Sequence, residues 1–110
     1  MINYSDFEKG DIRVGTVIEA KLNKKSSNHS LYLLIDFGEK IGKKTTSAQL
    51  TKYYLSEELI GKQVAAVINF PPKQIGKMIS EALGLGFPDD GNNPVLVMPS
   101  IKIPNGGKLF

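Results

Sequence analysis

The sequence predicts an all-β chain with short helices, closed into a small barrel. Three observations predict it: apolar segments of strand length recur along the chain, glycines stand where such segments must bend, and one short helical pattern falls between the third and fourth of them. With 110 residues, the chain fits one domain across 1–110 built around one core. A composition that is 41% hydrophobic and 23% charged belongs to an ordered globular protein and not to a disordered one.

Near the N-terminus, Ser5-Asp6-Phe7-Glu8 fits a capping box. Ser5 is the expected cap, Glu8 reaches back, Phe7 is the apolar anchor and Gly10 is the stop. From Asp11 to Lys21, Ile12, Val14, Thr16, Ile18 and Ala20 alternate with Arg13, Gly15, Val17, Glu19 and Lys21, which is strand periodicity with Gly15 expected at a bulge or bend. Residues 22–30, with Lys24, Lys25, Ser26, Ser27 and Asn28, read as a hairpin loop. Leu31 to Phe37 is the second strand, closed by Gly38 and a turn through Glu39, Lys40 and Gly42. Lys43 to Leu50 is a third, polar strand with one face for the core. Ser56 to Ile60 reads as a capped helix with acids in its first turn, ended by Gly61.

Gln63 to Phe70 contains Val64-Ala65-Ala66-Val67-Ile68, an apolar run expected to be buried on both faces. Pro71-Pro72 stops it. Lys73 to Lys77 is expected as a loop, and Met78 to Phe87 as one strand bent at Gly84 and Gly86. Asp89 to Pro94 has turn composition, Val95 to Met98 a strand pattern, and Ile101 to Phe110 that of an extended tail. A helix between strands three and four is the OB-fold placement, so a five-stranded Greek-key barrel of that type is expected, with N- and C-terminal extensions.

The residue inventory excludes much chemistry. No cysteine is present, which removes disulfides, thiolate metal sites and a thiol nucleophile. His29 is the only histidine and lies in a Ser/Asn/Lys loop without metal-ligand spacing. Asp89-Asp90 sits in a turn, where aspartate serves the backbone. Gly84-x-Gly86 lacks the strand, turn and helix of a dinucleotide fingerprint. No catalytic residue, metal or cofactor is therefore expected. No segment approaches membrane-spanning length, and the N-terminus has no cationic region followed by an apolar one, so a cytoplasmic protein without membrane insertion is expected.

Thirteen lysines and one arginine leave a net charge of +3, a mild excess suited to an anionic partner or to solubility. The informative feature is a polar constellation among apolar strands. Lys44, Ser47 and Gln49 lie on the third strand, and Asn69, Lys73, Gln74, Lys77, Ser80 and Glu81 surround the connection from the fourth to the fifth. Lysines neutralise phosphates, while Asn, Gln, Ser and Glu bond sugar hydroxyls and base edges. In a barrel of this type the two clusters fall on one surface. Aromatic platforms are few, with Tyr32, Tyr53, Tyr54, Phe70 and Phe87 as candidates. That favours a folded RNA's shape and backbone over stacking along an extended strand. Phe7, Ile101, Ile103, Leu109 and Phe110 exceed what a five-stranded barrel needs and are expected to be covered by a second copy of the chain in a homodimer.

Several motifs together resemble the tRNA-binding domain family, found at the C-terminus of methionyl-tRNA synthetases and in endothelial monocyte-activating polypeptide II. They are Asp6-Phe7-Glu8-Lys9 leading into Asp11-Ile12-Arg13-Val14-Gly15-Thr16, then Ile35-Asp36-Phe37-Gly38, Thr46 to Tyr53, Asn69 to Lys77, and Ile103-Pro104-Asn105-Gly106. The likeness spans nearly the whole chain and is greatest to the stand-alone bacterial members. It implies a non-catalytic homodimer that binds tRNA through its OB surface. Asn69, Pro72, Lys73, Ser80 and Glu81 fall where the synthetase-appended domains carry Asn, Pro, a basic residue, Ser and Glu. Gln74, Ala48-Gln49, Met78 and Ala82 depart from that pattern. The stand-alone members are also described as export-related chaperones, so the alternative is capture of unfolded precursor polypeptides, with export machinery as a further partner. Pro71-Pro72, flanked by Phe70 and Ile75, is the segment suited to it.

Overall fold

The computed structural model describes residues 1–23, 30–50, 52–75 and 78–110. Lys24, Lys25, His29 and Lys77 lie outside them. In chain order the elements are α1 (Tyr4–Glu8), β1 (Ile12–Asn23), β2 (Ser30–Asp36), β3 (Lys43–Ala48), α2 (Ser56–Leu59), β4 (Gln63–Val67), β5 (Lys73–Ile75), β6 (Met78–Ser80), β7 (Leu83–Gly84), β8 (Gly86–Pro88) and β9 (Pro94–Leu96). The main sheet has five strands in the order β3-β2-β1-β4-β7, with β5-β6 and β8-β9 as separate two-stranded ribbons. Every pairing is antiparallel. The two sheet edges are brought together where the Thr45 carbonyl accepts from the amides of Glu81 (2.8 Å) and Ala82 (3.0 Å). This is the nearly closed five-stranded OB barrel that the element order predicts, with α2 between β3 and β4.

The core follows from the side-chain period of the strands. Leu31, Leu33, Ile35 and Phe37 alternate inward along β2 and its exit, and they meet Val17 of β1, Val64 and Ala66 of β4, Leu50, Ala82 and Leu59 of α2. On the polar β3, Thr46 is buried and Ala48 packs against the core, so one face does serve it. In β4, Val64 and Ala66 are fully buried while Ala65 is half-buried, so its outer face is only partly covered.

Several local expectations are corrected. The N-cap of α1 is Asn3, whose side chain accepts from the Asp6 amide while Asp6 reaches back to the cap amide. Ser5 instead donates its hydroxyl to Asn3 Oδ1. Two overlapping capping-box frames exist here, and the one starting two residues earlier wins. The cap of α2 is Leu55, without a side-chain bond, and Ser56 bonds Glu57. The β1 bulge falls between Val17 and Glu19 rather than at Gly15. Gly15 is required for a different reason: a Cβ there would sit 2.5 Å from Ile35 Cγ2 and 2.9 Å from the Asp36 carbonyl. Of the stretch 73–77 expected as a loop, Lys73–Ile75 forms β5 and 76–77 lie outside the described residues, and the single strand expected over 78–87 is divided into β6, β7 and β8.

The C-terminal tail is not superfluous to the barrel. β1 is long and pairs with β2 only from Thr16 onward, which leaves the same edge free at Ile12–Val14. The tail occupies that edge: Val14 N–H donates to the Gly107 carbonyl (3.2 Å), Gly106 to Val14 (2.8 Å) and Leu109 to Ile12 (2.8 Å). Asn105 Oδ1 accepts from Thr16 Oγ1 (2.7 Å) and Gln63 Nε2 (3.0 Å). Arg13, the only arginine, is paired with Asp11 at 2.6 Å and donates to the Gly106 carbonyl at 3.0 Å.

The loop after β3 is latched to the β8–β9 hairpin. Tyr54 Oη accepts from the Leu96 amide (2.9 Å), and the Tyr53 hydroxyl donates to Asp89. Asp89 also accepts from the amides of Gly91 (2.9 Å) and Asn93 (2.8 Å), which confirms its turn role. The Tyr53 bond first, and then the turn amides, hold its carboxyl down at about 2 against an ordinary 3.8. A carboxyl depressed on folding contributes stability that is present above its unfolded value and lost as pH falls through its folded value. The stability difference between the protein and Asp89→Ala should therefore be constant near neutrality and shrink between about pH 4 and pH 2. Thermal melts of both across that range measure it; an unchanged difference at pH 2 would remove Asp89 from the latch.

Candidate nucleic-acid interface

Pro71-Pro72 cannot extend β4, so the chain leaves the sheet and returns as the β5–β6 ribbon, in which Lys73 stands opposite Ser80 and Ile75 opposite Met78. The ribbon is bolted to β3 by Thr45. Besides its carbonyl, Thr45 offers its N–H to Glu81 Oε1 (3.2 Å), and its hydroxyl lies 3.0 Å from the same oxygen and also reaches the Ile79 carbonyl. Ser47 N–H donates to Ser80 Oγ (3.4 Å), Ser80 Oγ donates to the Ala82 carbonyl (3.1 Å), and Ser47 Oγ donates to Ser30 Oγ (3.4 Å).

Between the ribbon and β3 lies a groove of about 380 Å³. Ser47 lines it from β3, Phe70 and Pro71 from the exit of β4, Lys73 and Ile75 from β5, and Ser80 to Leu83 from the end of β6 into β7. Phe70 is 54% exposed and Leu83 50%, so the apolar part of the wall is open to a ligand. Lys73 is exposed and forms no ion pair among the described residues. The groove thus combines an uncommitted cation and an exposed aromatic ring with a few polar groups, Ser47, Ser80 and Glu81, in a largely apolar lining.

Four of the nine polar residues singled out from sequence, Ser47, Lys73, Ser80 and Glu81, come together here. Lys44 lies on β3 opposite Ile35 and Gln49 is exposed just past β3, neither lining the groove. Gln74 is exposed on β5 opposite Ile79. Asn69 is occupied elsewhere: its Oδ1 accepts from the Asp11 amide (2.9 Å) and its Nδ2 donates to the Lys9 carbonyl (2.7 Å), which clamps the N-terminal segment. Lys77 lies outside the described residues. Sequence reasoning missed Thr45, and the signal for it was available: a polar residue on the strand that already carries Lys44, Ser47 and Gln49 of the constellation. Of the aromatic candidates, Tyr54 packs on the core, Tyr53 serves the latch and only Phe70 joins the groove.

A second, apolar groove of about 470 Å³ lies on the tail side, between β1, Ala65, the segment after β9 and the C-terminus. A smaller pocket of about 120 Å³ adjoins it beside α1. Ile103, Leu109 and Phe110 line the first, and Phe7 with Leu109 and Phe110 the second, whereas Ile101 lies outside both and is 73% exposed.

Residues 12–108 match the model of the putative tRNA-binding domain family, and the chain belongs to that family. It is 37% identical over 109 residues to the methionine–tRNA ligase of Pyrococcus horikoshii, covering 98% of this chain but only 14% of that enzyme. The chain thus spans about one seventh of the length of the curated relatives it matches. Two solved structures are similar over their full length. The chaperone CsaA from Bacillus anthracis has a TM-score of 0.91 and 45% identity, with 100% of this chain and 99% of that one covered. The CsaA chaperone protein from Picrophilus torridus has a TM-score of 0.91 and 44% identity, with both chains covered completely. The likeness to stand-alone bacterial members expected from the motifs is met by the first of these.

Among the described residues no helix is long and apolar enough to cross a membrane.

Proposed function

We propose that this chain is a non-catalytic tRNA-binding protein of the CsaA type, with the β3–β5–β6 groove as its RNA surface. One observation carries the assignment of the surface: in a chain of the tRNA-binding family, the groove gathers Ser47, Lys73, Ser80 and Glu81 beside the exposed ring of Phe70. An ammonium attracts phosphate without reading sequence, hydroxyls and a carboxylate meet sugar and base groups, and an aromatic face accepts an unstacked base. The chain's role is then the binding of tRNA, in the cytoplasm, and no reaction is assigned to it. Titration of Lys73→Ala with bulk tRNA tests the surface, with the outcomes set out in the Discussion.

Capture of unfolded polypeptides is the second reading, supported by the chaperone name of the two similar structures and by the exposed Phe70-Pro71 rim. Precursor proteins and export components would be its partners. It ranks below tRNA because the chain belongs to the tRNA-binding domain family and Lys73, on the groove, forms no ion pair among the described residues.

The homodimer is proposed on the second groove. Ile103, Leu109 and Phe110 line an apolar groove, which adjoins the smaller mixed pocket beside Phe7 on one side of the barrel, and a twofold copy would cover them. Two copies would also present two RNA grooves, which raises avidity where one tRNA spans both. Light scattering at micromolar concentration should give twice the mass of 12.0 kDa. A monomeric mass would contradict the dimer and leave the RNA groove unaffected.

A further inference from the structure

Resting on the tRNA-binding reading of the groove, we infer that Asn69 is a positioning residue for it: its carboxamide fixes where Phe70 stands at the groove wall, and does so without touching RNA. The β1–β4 ladder ends at Ile12 opposite Val67. The last backbone bond from this exit is that of the Ile68 N–H to the Asp11 carbonyl (2.8 Å). Phe70 precedes a proline, which holds it in an extended conformation, and neither Pro71 nor Pro72 has an N–H to give. Among the described residues, the hydrogen bonds that hold the chain from Asn69 to Pro72 are the two of the Asn69 side chain.

That side chain takes over where the backbone stops. Its Oδ1 accepts from the Asp11 amide (2.9 Å) and its Nδ2 donates to the Lys9 carbonyl (2.7 Å). Lys9 is the C-cap of α1, so this carbonyl has no partner inside the helix. The position calls for an acceptor and a donor side by side: aspartate cannot donate, and serine has a single hydroxyl. The other side of the clamp is itself fixed, because Asp11 pairs with Arg13 at 2.6 Å and Arg13 donates to the Gly106 carbonyl at 3.0 Å. The ribbon beyond is held separately, through the Glu81 and Ala82 amides on the Thr45 carbonyl. Lys73, opposite Ser80, therefore keeps its place when the clamp is cut. The exposed ring of Phe70 does not, so loss of the Asn69 bonds should release the ring and spare the charge.

A double-mutant cycle of Asn69→Ala and Phe70→Ala in the full chain, read as affinity for bulk tRNA, tests this. Asn69→Ala should weaken binding about fivefold, part of the loss that removal of a stacking ring brings. The slope of log affinity against log salt should not change, because no phosphate contact is removed. In the Phe70→Ala background the same substitution should cost less than about twofold, since the ring it positions is gone. Asn69 is exposed, and direct contact of its side chain with RNA would instead give the same loss in both backgrounds. A second readout needs no RNA. The chain has no tryptophan, so Phe70→Trp places a lone indole at the groove wall. Adding Asn69→Ala should raise acrylamide quenching of its emission while the far-ultraviolet circular dichroism stays the same. Asn69→Ser takes the place of Asn69→Ala in both experiments if the latter fails to fold. Equal losses in the two backgrounds, unchanged tRNA affinity in a folded Asn69 variant, or unchanged quenching overturns the positioning role. tRNA binding that Phe70→Ala leaves intact also overturns it but keeps the tRNA reading, whereas absence of tRNA binding by the parent chain removes both.

Discussion

Alanine at Lys73 should weaken tRNA binding about tenfold at low salt, the loss typical of a charge-assisted contact, and lower the slope of log affinity against log salt by about one. The side chain is exposed and unpaired among the described residues, so its removal should change folding stability by no more than about 0.5 kcal/mol. Adding Lys77→Ala, four residues along the same connection, should deepen the loss and flatten the salt dependence further. Anisotropy titrations with bulk tRNA at two salt concentrations, alongside thermal melts, measure both quantities. Unchanged affinity and slope in the double variant would place the RNA surface elsewhere on the molecule.

Gly106→Ala should be strongly destabilising. Gly106 has φ of +92°, a conformation that costs a side-chain-bearing residue about 1–2 kcal/mol. A Cβ there would also lie 2.5 Å from the Phe37 carbonyl oxygen, and backbone cannot yield as a flexible side chain does. Relief requires the tail to lift, which breaks the Gly106–Val14 bond and disturbs the Arg13 and Asn105 contacts that fasten it to β1. Strain and lost bonds together should cost about 3 kcal/mol or more. For a domain of this size the thermal midpoint should drop by more than ~10 °C, and the apolar groove beside the tail should lose its wall. Circular dichroism melts check it; a midpoint within ~2 °C of the parent protein would show that the tail contributes little to the barrel.

What sequence made legible was whatever a period or a breaker encodes. The alternation from Leu31 to Phe37 fixes which face of β2 is buried, Pro71-Pro72 marks the exit from the β4 segment, and the helix before Val64 identifies the OB order. Distance along the chain hid the rest. Gly15 is visible as a glycine, but the Ile35 and Phe37 atoms that forbid a Cβ there are some twenty residues away. Each arm of the β5–β6 ribbon is three residues long, too short for alternation to separate strand from loop. Tyr53 and Asp89 meet across a separation of 36 residues with no motif joining them.

The site divides in the same way. Its polar residues were recognisable by type, and four of them do converge. Their commitments were not recognisable. Asn69 turns out to clamp the N-terminal segment, and Glu81 is anchored through Thr45 before any ligand arrives. The extra apolar residues of the tail were legible as a surplus, but not as the strand edge that completes β1.

If tRNA binds the β3–β5–β6 groove through its phosphates, its affinity must follow salt. A titration of the purified chain with bulk tRNA at two salt concentrations, with an unfolded polypeptide run in parallel, tests it most directly. Binding through phosphates should weaken as salt rises, by a log–log slope of about 0.7 to 0.9 for each phosphate neutralised, while polypeptide binding stays weak. Salt-insensitive capture of the polypeptide with no measurable tRNA binding would contradict the account and assign the groove to unfolded chains.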